Sequence, residues 1–417
     1  MPLNQSGRPI DDVIADLSAK QANDVRWREG RTFGLVFDGG PEVHEVAERA
    51  ARLFLHENAL NTKAFASLGE IQAEVVRWTA DLLHGPASAA GFMTSGGTES
   101  ILCAVLAARE RGAKERGITK PHMVVPESAH AAFHKAAHLF GIELTKTPVK
   151  ADWTADVDAM AAAIRPETVL LVGSSPQFPQ GVVDDLPAIA ALAEAAGANC
   201  HSDACMGGFV LPFAEMLGRP VPPWDFRVPG VSSISADVHK LGYAPKGASV
   251  ILYRDRALRA YQTFSSDAWL GGFYATPNLQ GSRPGLPMAT AWAVMSHLGV
   301  DGYKRLTETT LATADKMRAG IAATPGLRVL GVGAYHLVAM AADPDADHPI
   351  DVFALGDALA RRGWHLDRQG PPDSLHATVS FGNAAVIDLY LADLAASVEE
   401  VGGARSGDRS TRYATLE

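Results

Sequence analysis

A glycine turn that runs directly into a helix-forming stretch is the first feature able to do chemistry. In FMTSGGTESILCAVLAARERG (92–112), the backbone amides of Gly97, Thr98 and Glu99 would lie at a helix N-terminus. Such an end carries about half a positive elementary charge and binds phosphate, and the hydroxyls of Ser95 and Thr98 add donors. The alternative is an ordinary capped helix with Glu99 favourable in its first turn. The stretch matches neither GxxxxGK[ST] nor GxGxxG, so a nucleotide-binding loop is not predicted.

An aspartate in HSDACMGGF (201–209) is the second such feature. Asp203 ends a short buried strand in our reading and is followed by glycines that let a ligand approach the backbone. An unpaired buried carboxylate is costly, so Asp203 needs an arginine, a metal or a protonated ring nitrogen as its partner. An aspartate that only caps the following turn is the alternative.

A lone lysine lies in SISADVHKLGYAPKGAS (233–249), between small hydroxylated residues and a run broken by glycine and proline. No long helix or strand can include such a run. Lys240 is therefore either a surface ammonium in a loop or an amine held for chemistry.

Three histidines, His130, His134 and His138, recur at intervals of four in SAHAAFHKAAH. On a helix they share one face, and two histidines at that spacing can hold zinc. A third ligand in line would point past the same ion, and no HExxH pattern is present, so we expect no metal site. His130, at the start of the helix and next to the loops, is the one that we expect to be functional.

One cofactor would meet the demands of all these groups. Pyridoxal phosphate carries a phosphate for the turn at Ser95 to Thr98, a ring nitrogen for Asp203, and a carbonyl that forms a Schiff base with Lys240. The order of these features along the chain also suits the large domain of an aminotransferase-type protein. We therefore predict pyridoxal 5'-phosphate as the cofactor.

The elements that must position these groups follow from apolar periodicity. Residues 42–55 and 70–83 have apolar side chains at helical spacing, and from about residue 90 short apolar runs alternate with alanine-rich helical stretches. This alternation predicts an α/β fold with a mostly parallel central sheet, whose ligands collect at the carboxyl ends of the strands. A helix near 287–299 should precede a smaller C-terminal α/β domain. The predicted divisions are an N-terminal segment (1–56), a large cofactor-binding domain (57–299), a small domain (300–404) and a flexible tail (405–417).

Composition restricts the possible partners. The 417-residue chain is 47% hydrophobic, and its formal net charge of -10 offers no basic field for nucleic acid. Its three cysteines, Cys103, Cys200 and Cys205, lack CxxC spacing and favour a reducing compartment. The N-terminus has no signal-sequence pattern, and no uninterrupted apolar run reaches the roughly 18 to 20 residues that span a bilayer. We expect a cytoplasmic protein with a small-molecule amine substrate, no nucleic acid partner and no integral membrane segment.

Over residues 34–402 the sequence resembles the sphingosine-1-phosphate lyase family of the group II pyridoxal-phosphate-dependent decarboxylase superfamily. The resemblance rests on QAEVVR (72–77), TSGGTESI (94–101), AHAAFHKA (129–136), PQFPQGVVD (176–184), HSDACMGGF, SISADVHKLGYAPKGAS and WLGGFYATPNLQGSRPG (269–285). Chance does not produce several long motifs in the same order. The resemblance implies a fold-type-I, aspartate aminotransferase-like homodimer whose active sites are shared between the subunits.

The resemblance also implies roles for individual residues. Lys240 would form the Schiff base, His130 would stack on the cofactor ring, and Asp203 would bind the ring nitrogen. Lys246 would lie near the substrate phosphate and the reacting groups, so the catalytic candidates are Lys240, Lys246 and His130. The residues implied near the cofactor phosphate are Ser95, Gly97, Thr98 and His239, with Gly281 and Ser282 reaching the cofactor phosphate of the partner subunit.

Three positions depart from the family pattern. Phe37 in GLVF replaces a tyrosine, Asn61 replaces the histidine of NPLH, and Gln180 replaces the histidine of PQFPHG. The first two family positions are associated with the substrate's phosphate and with catalysis. Because a site that pairs a polar group of its substrate discriminates strongly, these replacements leave a non-sphingoid substrate open.

Three functions follow from these patterns. The first is a carbon–carbon lyase that cleaves a phosphorylated β-hydroxy amine, such as a sphingoid base 1-phosphate, into an aldehyde and an amine, with Lys240 or Lys246 as the base. The second is an amino-acid decarboxylase in which Arg283 holds a carboxylate. The third is a catalytically silent binding protein, against which the retention of Lys240, Asp203 and His130 argues.

Overall fold

The computed structural model describes residues 3–331, 333, 335–347 and 349–411. The α-helices are α1 (Ile10–Lys20), α2 (Pro41–Leu53), α3 (Ala66–Leu82), α4 (Gly97–Arg116), α5 (Ala132–Phe140), α6 (Val157–Ala162), α7 (Leu186–Ala195), α8 (Leu211–Met216), α9 (Arg256–Ala260), α10 (Gly285–Ala322), α11 (Val352–Arg361) and α12 (Ile387–Val401). The β-strands are β1 (Ala90–Thr94), β2 (His122–Pro126), β3 (Glu143–Thr147), β4 (Thr168–Ser174), β5 (Asn199–Asp203), β6 (Val231–Ala236), β7 (Ser249–Tyr253), β8 (Phe264–Ser266), β9 (Tyr274–Thr276), β10 (Leu327–Leu330), β11 (Leu337–Ala342), β12 (Asp367–Gln369) and β13 (Ser374–Thr378).

A seven-stranded sheet forms the centre of the molecule, in the order β1-β7-β6-β5-β4-β2-β3. The strands from β6 to β3 in that order are parallel, and β7 runs antiparallel to both of its neighbours, β1 and β6. The predicted α/β fold with a mostly parallel central sheet is confirmed. The carboxyl ends of β1, β5 and β6 lie at one edge of this sheet, where ligands of such sheets bind.

Helices cover both faces of the central sheet. Met123 of β2 and Leu170 of β4 pack in one apolar cluster with residues of α4 and α5. Val124 and Leu171, their neighbours along the same strands, pack in another cluster with residues of α3 and α7. Because successive side chains of a strand point to opposite faces, this division shows two buried faces, which is why these strands are continuous apolar runs.

The two helices predicted from periodicity are present with shifted ends. The helix predicted at 42–55 is α2, and the helix predicted at 70–83 is α3, which begins four residues earlier at Ala66. Val43 of α2 and Val75 of α3 are buried, as their spacing requires. Both helices contact α10, so they join the N-terminal part of the chain to the helix that ends the large domain.

Helix α10 connects the part of the chain that holds the central sheet to the C-terminal part, called the small domain below, and it is kinked at Gly299, whose backbone is non-helical (φ 53°, ψ -171°). Glycine accepts this positive φ without a steric penalty. The domain boundary predicted between residues 299 and 300 falls at this kink and stays a prediction. Beyond it, the strands β10-β11-β13-β12 form a second sheet, against which α11 packs. All the pairings in this sheet are antiparallel, a direction that apolar periodicity does not encode.

The C-terminal stretch 405–411 contacts the small domain. Arg409 Nη1 lies 2.6 Å from Asp351 Oδ2, and the same guanidinium pairs with Asp373. The rest of the predicted tail, 412–417, lies outside the described residues.

Among the described residues, one helical segment, Phe381–Val401, is long and apolar enough by length and composition to cross a membrane. It includes α12, whose residues Ile387, Tyr390 and Leu394 are buried. These three side chains belong to the apolar core of the small domain.

Candidate active site

A cavity of about 280 Å³ lies at the edge of the central sheet where the carboxyl ends of β1, β5 and β6 meet. Its lining residues are Ser95, Gly96, Gly97, Thr98, Glu99, Ile101, His130, Cys205, Asp237, His239 and Lys240. The turn after β1, the loop before α5 and the loop after β6 therefore bring the glycine turn, a histidine and the lone lysine together. These groups lie far apart in the sequence, and the parallel strands are the reason that they meet.

The glycine turn between β1 and α4 leaves no room for a side chain. A Cβ on Gly97 would lie 2.7 Å from both Asp237 Oδ2 and Cys205 Sγ, closer than any ordinary contact. Because α4 begins at Gly97, the first free amides of the helix lie beside the cavity. A helix end of this kind offers an anion both N–H donors and partial positive charge.

Lys240 lies in the loop after β6, with an aspartate directly against its amine. Lys240 Nζ is 3.0 Å from Asp237 Oδ2, and the Asp237 side chain is 1% exposed. Burial acts to raise the pKa of Asp237, but the Lys240 ammonium and His239 outweigh it, so the pKa lies below its ordinary value. Asp237 was not predicted from the sequence. The signal that could have indicated it is its position three residues before Lys240 in ADVHK.

His239 adds a neutral donor next to this ion pair. Its Nδ1 accepts the N–H groups of Gly247 at 3.3 Å and Ala248 at 3.2 Å, so Nε2 carries the hydrogen. Nε2 is 3.6 Å from Asp237 Oδ2. Burial lowers the pKa of His239 to about 4; Asp237 opposes this shift and the two neighbouring lysines add to it. At neutral pH the imidazole therefore presents an uncharged N–H.

His130, in the loop after β2, and Asp203, the last residue of β5, lie at the same edge of the sheet. His130 lines the cavity just before α5, and its Nδ1 accepts the N–H of Ala132 at 3.1 Å. Burial lowers the pKa of His130, against the opposing charge of Asp203. Asp203 ends β5 and is buried, and its Oδ1 accepts the Cys205 N–H and the Ser235 hydroxyl, both at 3.1 Å. Asp203 is not among the residues that line the cavity, although its charge acts on His130.

Lys246 lies beside the cavity in contact with the ring that replaces the family tyrosine. Its Nζ donates to the carbonyl oxygen of His239 at 2.7 Å and lies 4.5 Å from the centroid of the Phe37 ring. That distance is within the range of a cation–π interaction. Burial of the ammonium group and the charge of Lys240 lower the pKa of Lys246 to about 8, while part of the side chain stays accessible to solvent.

Four other predicted positions lie outside the cavity lining. Asn61 is exposed and accepts N–H groups of its own turn. Gly281 and Ser282 lie in the loop between β9 and α10. Gln180 is buried, and its side chain and backbone both bond to Gln177, at 2.9 and 2.8 Å. The roles that the resemblance implies for these positions stay predictions.

Arg283 is bound by groups of its own chain. Its guanidinium donates to Gln72 Oε1 at 3.1 Å and to the Ala59 carbonyl at 2.9 Å, and it lies 4.7 Å from the centroid of the Phe92 ring. Arg283 borders a smaller cavity of about 90 Å³, which Ser95 also lines. A substrate carboxylate at this arginine would have to replace at least one of these contacts.

The histidine stripe does not form a metal site in the part of the chain that the structure describes. There, no group of three or more histidine, cysteine, aspartate or glutamate residues is arranged to hold a metal ion. His130 lines the cavity, whereas His134 and His138 are exposed along α5.

Comparison with known proteins identifies the family. Residues 4–339 match the model of the pyridoxal-dependent decarboxylase conserved domain. A sphingosine-1-phosphate lyase of Oryza sativa is 40% identical over 97% of this chain and 76% of its own length. The chain belongs to the sphingosine-1-phosphate lyase family. It is therefore a pyridoxal-phosphate-dependent lyase, and its cofactor is pyridoxal 5'-phosphate.

Other members of the lyase family agree with this assignment. Sphingosine-1-phosphate lyase 1 of Rattus norvegicus is 39% identical over 96% of this chain and 70% of its own length. The solved structure of a sphingosine-1-phosphate lyase from Burkholderia pseudomallei has a TM-score of 0.91 at 38% identity, covering 96% of this chain and 92% of that one. A glutamate decarboxylase from Lactobacillus brevis, 21% identical with a TM-score of 0.85 over 97% of this chain and 96% of that one, shows the fold alone.

The residues of this lyase-family site fit the cofactor. The start of α4 and the neutral Nε2–H of His239 would hold the phosphate, and the side-chain-free Gly97 provides the space. Lys240 would hold the carbonyl carbon, and the buried carboxylate of Asp203 would hold the ring nitrogen. The site offers N–H and cationic groups to the cofactor's phosphate and a primary amine to its carbonyl, as pyridoxal phosphate requires.

Proposed function

We propose that the enzyme cleaves a phosphorylated β-hydroxy amine of the sphingoid type between Cα and Cβ, giving an aldehyde and an amine. The relatives named as lyases of sphingosine 1-phosphate support this substrate class. The observation that carries the proposal is the pair of lysines: Lys240 Nζ lies 3.0 Å from Asp237 Oδ2, and Lys246 Nζ binds the carbonyl of His239, the residue before Lys240, at 2.7 Å. Burial lowers the pKa of Lys246 to about 8. Removal of a hydroxyl proton near neutral pH needs a base of that strength.

The proton balance of the cleavage gives Lys246 two tasks. Pyridoxal phosphate, when bound, supplies a carbonyl that condenses with amines and a ring that withdraws electrons from the adjacent carbon. A base accepts the β-hydroxyl proton as the carbon–carbon bond breaks, and Cα receives a proton before the amine product leaves. Neutral Lys246 is the base in our proposal, and the ammonium that it becomes is then the acid. Lys240 is the alternative base.

The replaced residues predict a weaker demand for the substrate's phosphate. Phe37 offers Lys246 a ring face but no hydroxyl, and Asn61 offers an amide that is already bound to its own turn. The tyrosine hydroxyl and the histidine ring that the resemblance associates with the substrate's phosphate and with catalysis are absent at these positions. We therefore infer that this enzyme accepts the dephosphorylated amine more readily than a member with the tyrosine and the histidine would.

A product assay tests the proposed function. The purified enzyme is loaded with pyridoxal phosphate and incubated with a sphingoid base 1-phosphate, its dephosphorylated form and a panel of amino acids. We expect an aldehyde from the sphingoid bases and none from Lys240→Ala, while Lys63→Ala, at an exposed position, retains the activity. Release of carbon dioxide from amino acids without any aldehyde would instead establish a decarboxylase. A colourless protein that cannot be reconstituted would contradict both.

We infer that the enzyme is a homodimer with shared active sites. The two-stranded sheet β8-β9 and its loop expose Phe264 (60%), Trp269 (61%), Leu270 (107%) and Phe273 (74%). An isolated two-stranded hairpin is only marginally stable in water, and an apolar patch of this kind marks a protein contact. The chain continues from this hairpin to Gly281–Ser282, so a second copy seated here would receive that loop.

We also propose a cytoplasmic location. Cys103, Cys200 and Cys205 are free and buried, and burial raises the pKa of each thiol. Unpaired thiols are typical of proteins that stay in a reducing compartment. Fractionation of cells, followed by the product assay on each fraction, tests this location.

A further inference from the structure

A buried carboxylate in the first turn of α4 binds two separate segments of the chain. Glu99 is 6% exposed. Its Oε2 accepts both the N–H and the hydroxyl of Ser95, each at 2.7 Å. Its Oε1 accepts the N–H of Leu279 at 3.2 Å and the side-chain amide of Asn278 at 3.4 Å. One carboxylate therefore holds the glycine turn on one side and the stretch after β9 on the other.

The second segment bound by Glu99 comprises residues 277–283. Asn278, which is buried, also donates through Nδ2 to the Met93 carbonyl at 3.0 Å. The segment is thereby fixed to the end of β1 as well as to α4. It continues to Gly281 and Ser282, the two residues that the resemblance places near the cofactor phosphate of the partner subunit.

A helix cap alone does not require this arrangement. In the capping box, a glutamate at the third helical position accepts the N–H of the N-cap residue. Here the N-cap is Gly96, and Glu99 reaches one residue further, to Ser95. A favourable interaction with the helix dipole needs only the charge of the carboxylate and does not explain why Oε1 binds Leu279.

The contacts of Glu99 also determine which hydrogen-bond donors of the glycine turn are available to a phosphate. The Ser95 hydroxyl donates its hydrogen to Glu99, so its oxygen presents lone pairs to the cavity. The amides of Gly97 and Thr98 and the Thr98 hydroxyl are then the donors of the turn. Movement of residues 277–283 would draw Glu99 away from Ser95 and so change this set of donors.

We propose that Glu99 is a positioning residue that couples the cofactor-phosphate turn to the segment 277–283. It binds both segments through one carboxylate, so a displacement of either segment disturbs the contacts that Glu99 makes with the other. The consequence is that a change in the segment alters cofactor affinity without any contact between the changed residue and the cofactor.

Glu99→Gln is the first test. An amide accepts through one oxygen only, and its NH₂ would face an N–H donor. We expect the affinity of the cofactor-free enzyme for pyridoxal phosphate, measured by absorbance titration, to fall at least about tenfold, the effect of losing a hydrogen bond to a charged group. Chymotrypsin should cleave within residues 264–279 at least about tenfold faster, because the release of Leu279 favours local opening.

Glu115→Gln is the matched control. Glu115 lies on the same helix, but its partners, Arg111 and Tyr261, are at the far end from the turn. This variant should change neither the cofactor affinity nor the cleavage rate.

Asn278→Ala distinguishes coupling from damage at the turn, since Asn278 does not line the cavity. We expect this variant to bind the cofactor more weakly than the wild type. We expect the double variant Glu99→Gln/Asn278→Ala to bind it no more weakly than Glu99→Gln does, because the effects of coupled residues do not add in a double-mutant cycle. If Glu99→Gln does not fold, Asn278→Ala decides alone. The proposal is overturned if Asn278→Ala or folded Glu99→Gln binds the cofactor with wild-type affinity. It is also overturned if the two losses of affinity multiply in the double variant.

Discussion

Two lysines with different surroundings lie within a small region of the site. Lys240 Nζ is 3.0 Å from the Asp237 carboxylate, which stabilises a positive charge there. Lys246 instead lies over the Phe37 ring, and burial together with the charge of Lys240 lowers its pKa to about 8. One amine is therefore supported as a cation, while the other can release its proton near physiological pH.

We expect kcat/KM for the cleavage to rise with pH through a midpoint near 8. The pKa of Lys246 is lowered to about 8, so the amine is protonated below that pH and neutral, and able to act as a base, above it. Lys246→Arg keeps the charge but cannot lose its proton, so the rise should disappear and the rate should fall about 10² to 10⁴-fold. A pH–rate profile measures both effects.

The control for this profile is Lys63→Arg, an exposed position, which should keep the rise with pH. A rise that persists unchanged in Lys246→Arg would assign the proton transfer to another group, with Lys240 as the next candidate.

The sequence could predict that Ser95 and Lys240 lie close together, because each lies in a loop at the carboxyl end of a strand of one sheet. Parallel strands bring their carboxyl ends to one edge of the sheet, and Ser95 and Lys240 lie in the loops that follow β1 and β6. The spacing in ADVHK places Asp237 three residues before Lys240, but the fold of the loop is what brings its carboxylate to 3.0 Å from Lys240 Nζ. Periodicity could not indicate that Arg283 is engaged by its own chain.

At the scale of elements, the sequence contained the positions of strands and helices more clearly than their directions. Apolar spacing located α2 and α3 to within a few residues. The helix predicted near 287–299 is only the first part of α10, which continues past the kink at Gly299 to Ala322. The direction of β7 depends on which strands it meets in space, and that is a matter of tertiary contact rather than local pattern.

The buried amide of Asn383 adds to the backbone hydrogen bonds that join the N-terminal segment to the C-terminal part of the chain. Asn383 Nδ2 donates to the carbonyls of Gly30 at 2.8 Å and Thr32 at 3.1 Å, and its Oδ1 accepts the N–H and the hydroxyl of Ser380 at 2.7 and 3.1 Å. In Asn383→Asp a carboxylate oxygen would face both carbonyls. We expect the free energy of unfolding to fall by about 3 to 5 kcal/mol, the effect of an uncompensated buried charge. Urea denaturation at neutral pH measures this change.

The decrease in the free energy of unfolding caused by Asn383→Asp should become smaller as the pH falls. The buried acid would have a folded-state pKa above its unfolded value. The free energy of unfolding of the variant is therefore highest at low pH, where the acid is neutral, and falls as the pH rises through the folded-state pKa. Asn61→Asp is the matched control, because Asn61 is exposed and only accepts backbone N–H groups, as a carboxylate also does. Equal stability of the two variants would show that the Asn383 contacts do not hold the N-terminal segment.

At the scale of the whole molecule, helix α1 and the hairpin β8-β9 expose apolar side chains that no other described residue of the chain covers. Helix α1 buries none of its residues, although Ile10, Ile14 and Leu17 lie along it. A helix gains most of its stability in a protein from packing an apolar face. The hairpin β8-β9 likewise exposes its largest side chains. In the dimer that we propose, a second copy of the chain would cover the hairpin and receive the loop after β9.

The proposed dimer predicts that Leu270→Asp separates the subunits. The Leu270 side chain is fully exposed in the single chain, and burial of a leucine contributes about 1.5 to 3 kcal/mol. In a two-fold symmetric interface each substitution counts twice, so the dissociation constant should rise at least about 100-fold. Light scattering during gel filtration across a dilution series measures it, with Leu139→Asp, an exposed leucine at the end of α5, as the control. A wild-type monomer, or a Leu270→Asp variant with an unchanged dissociation constant, would remove the hairpin from the interface.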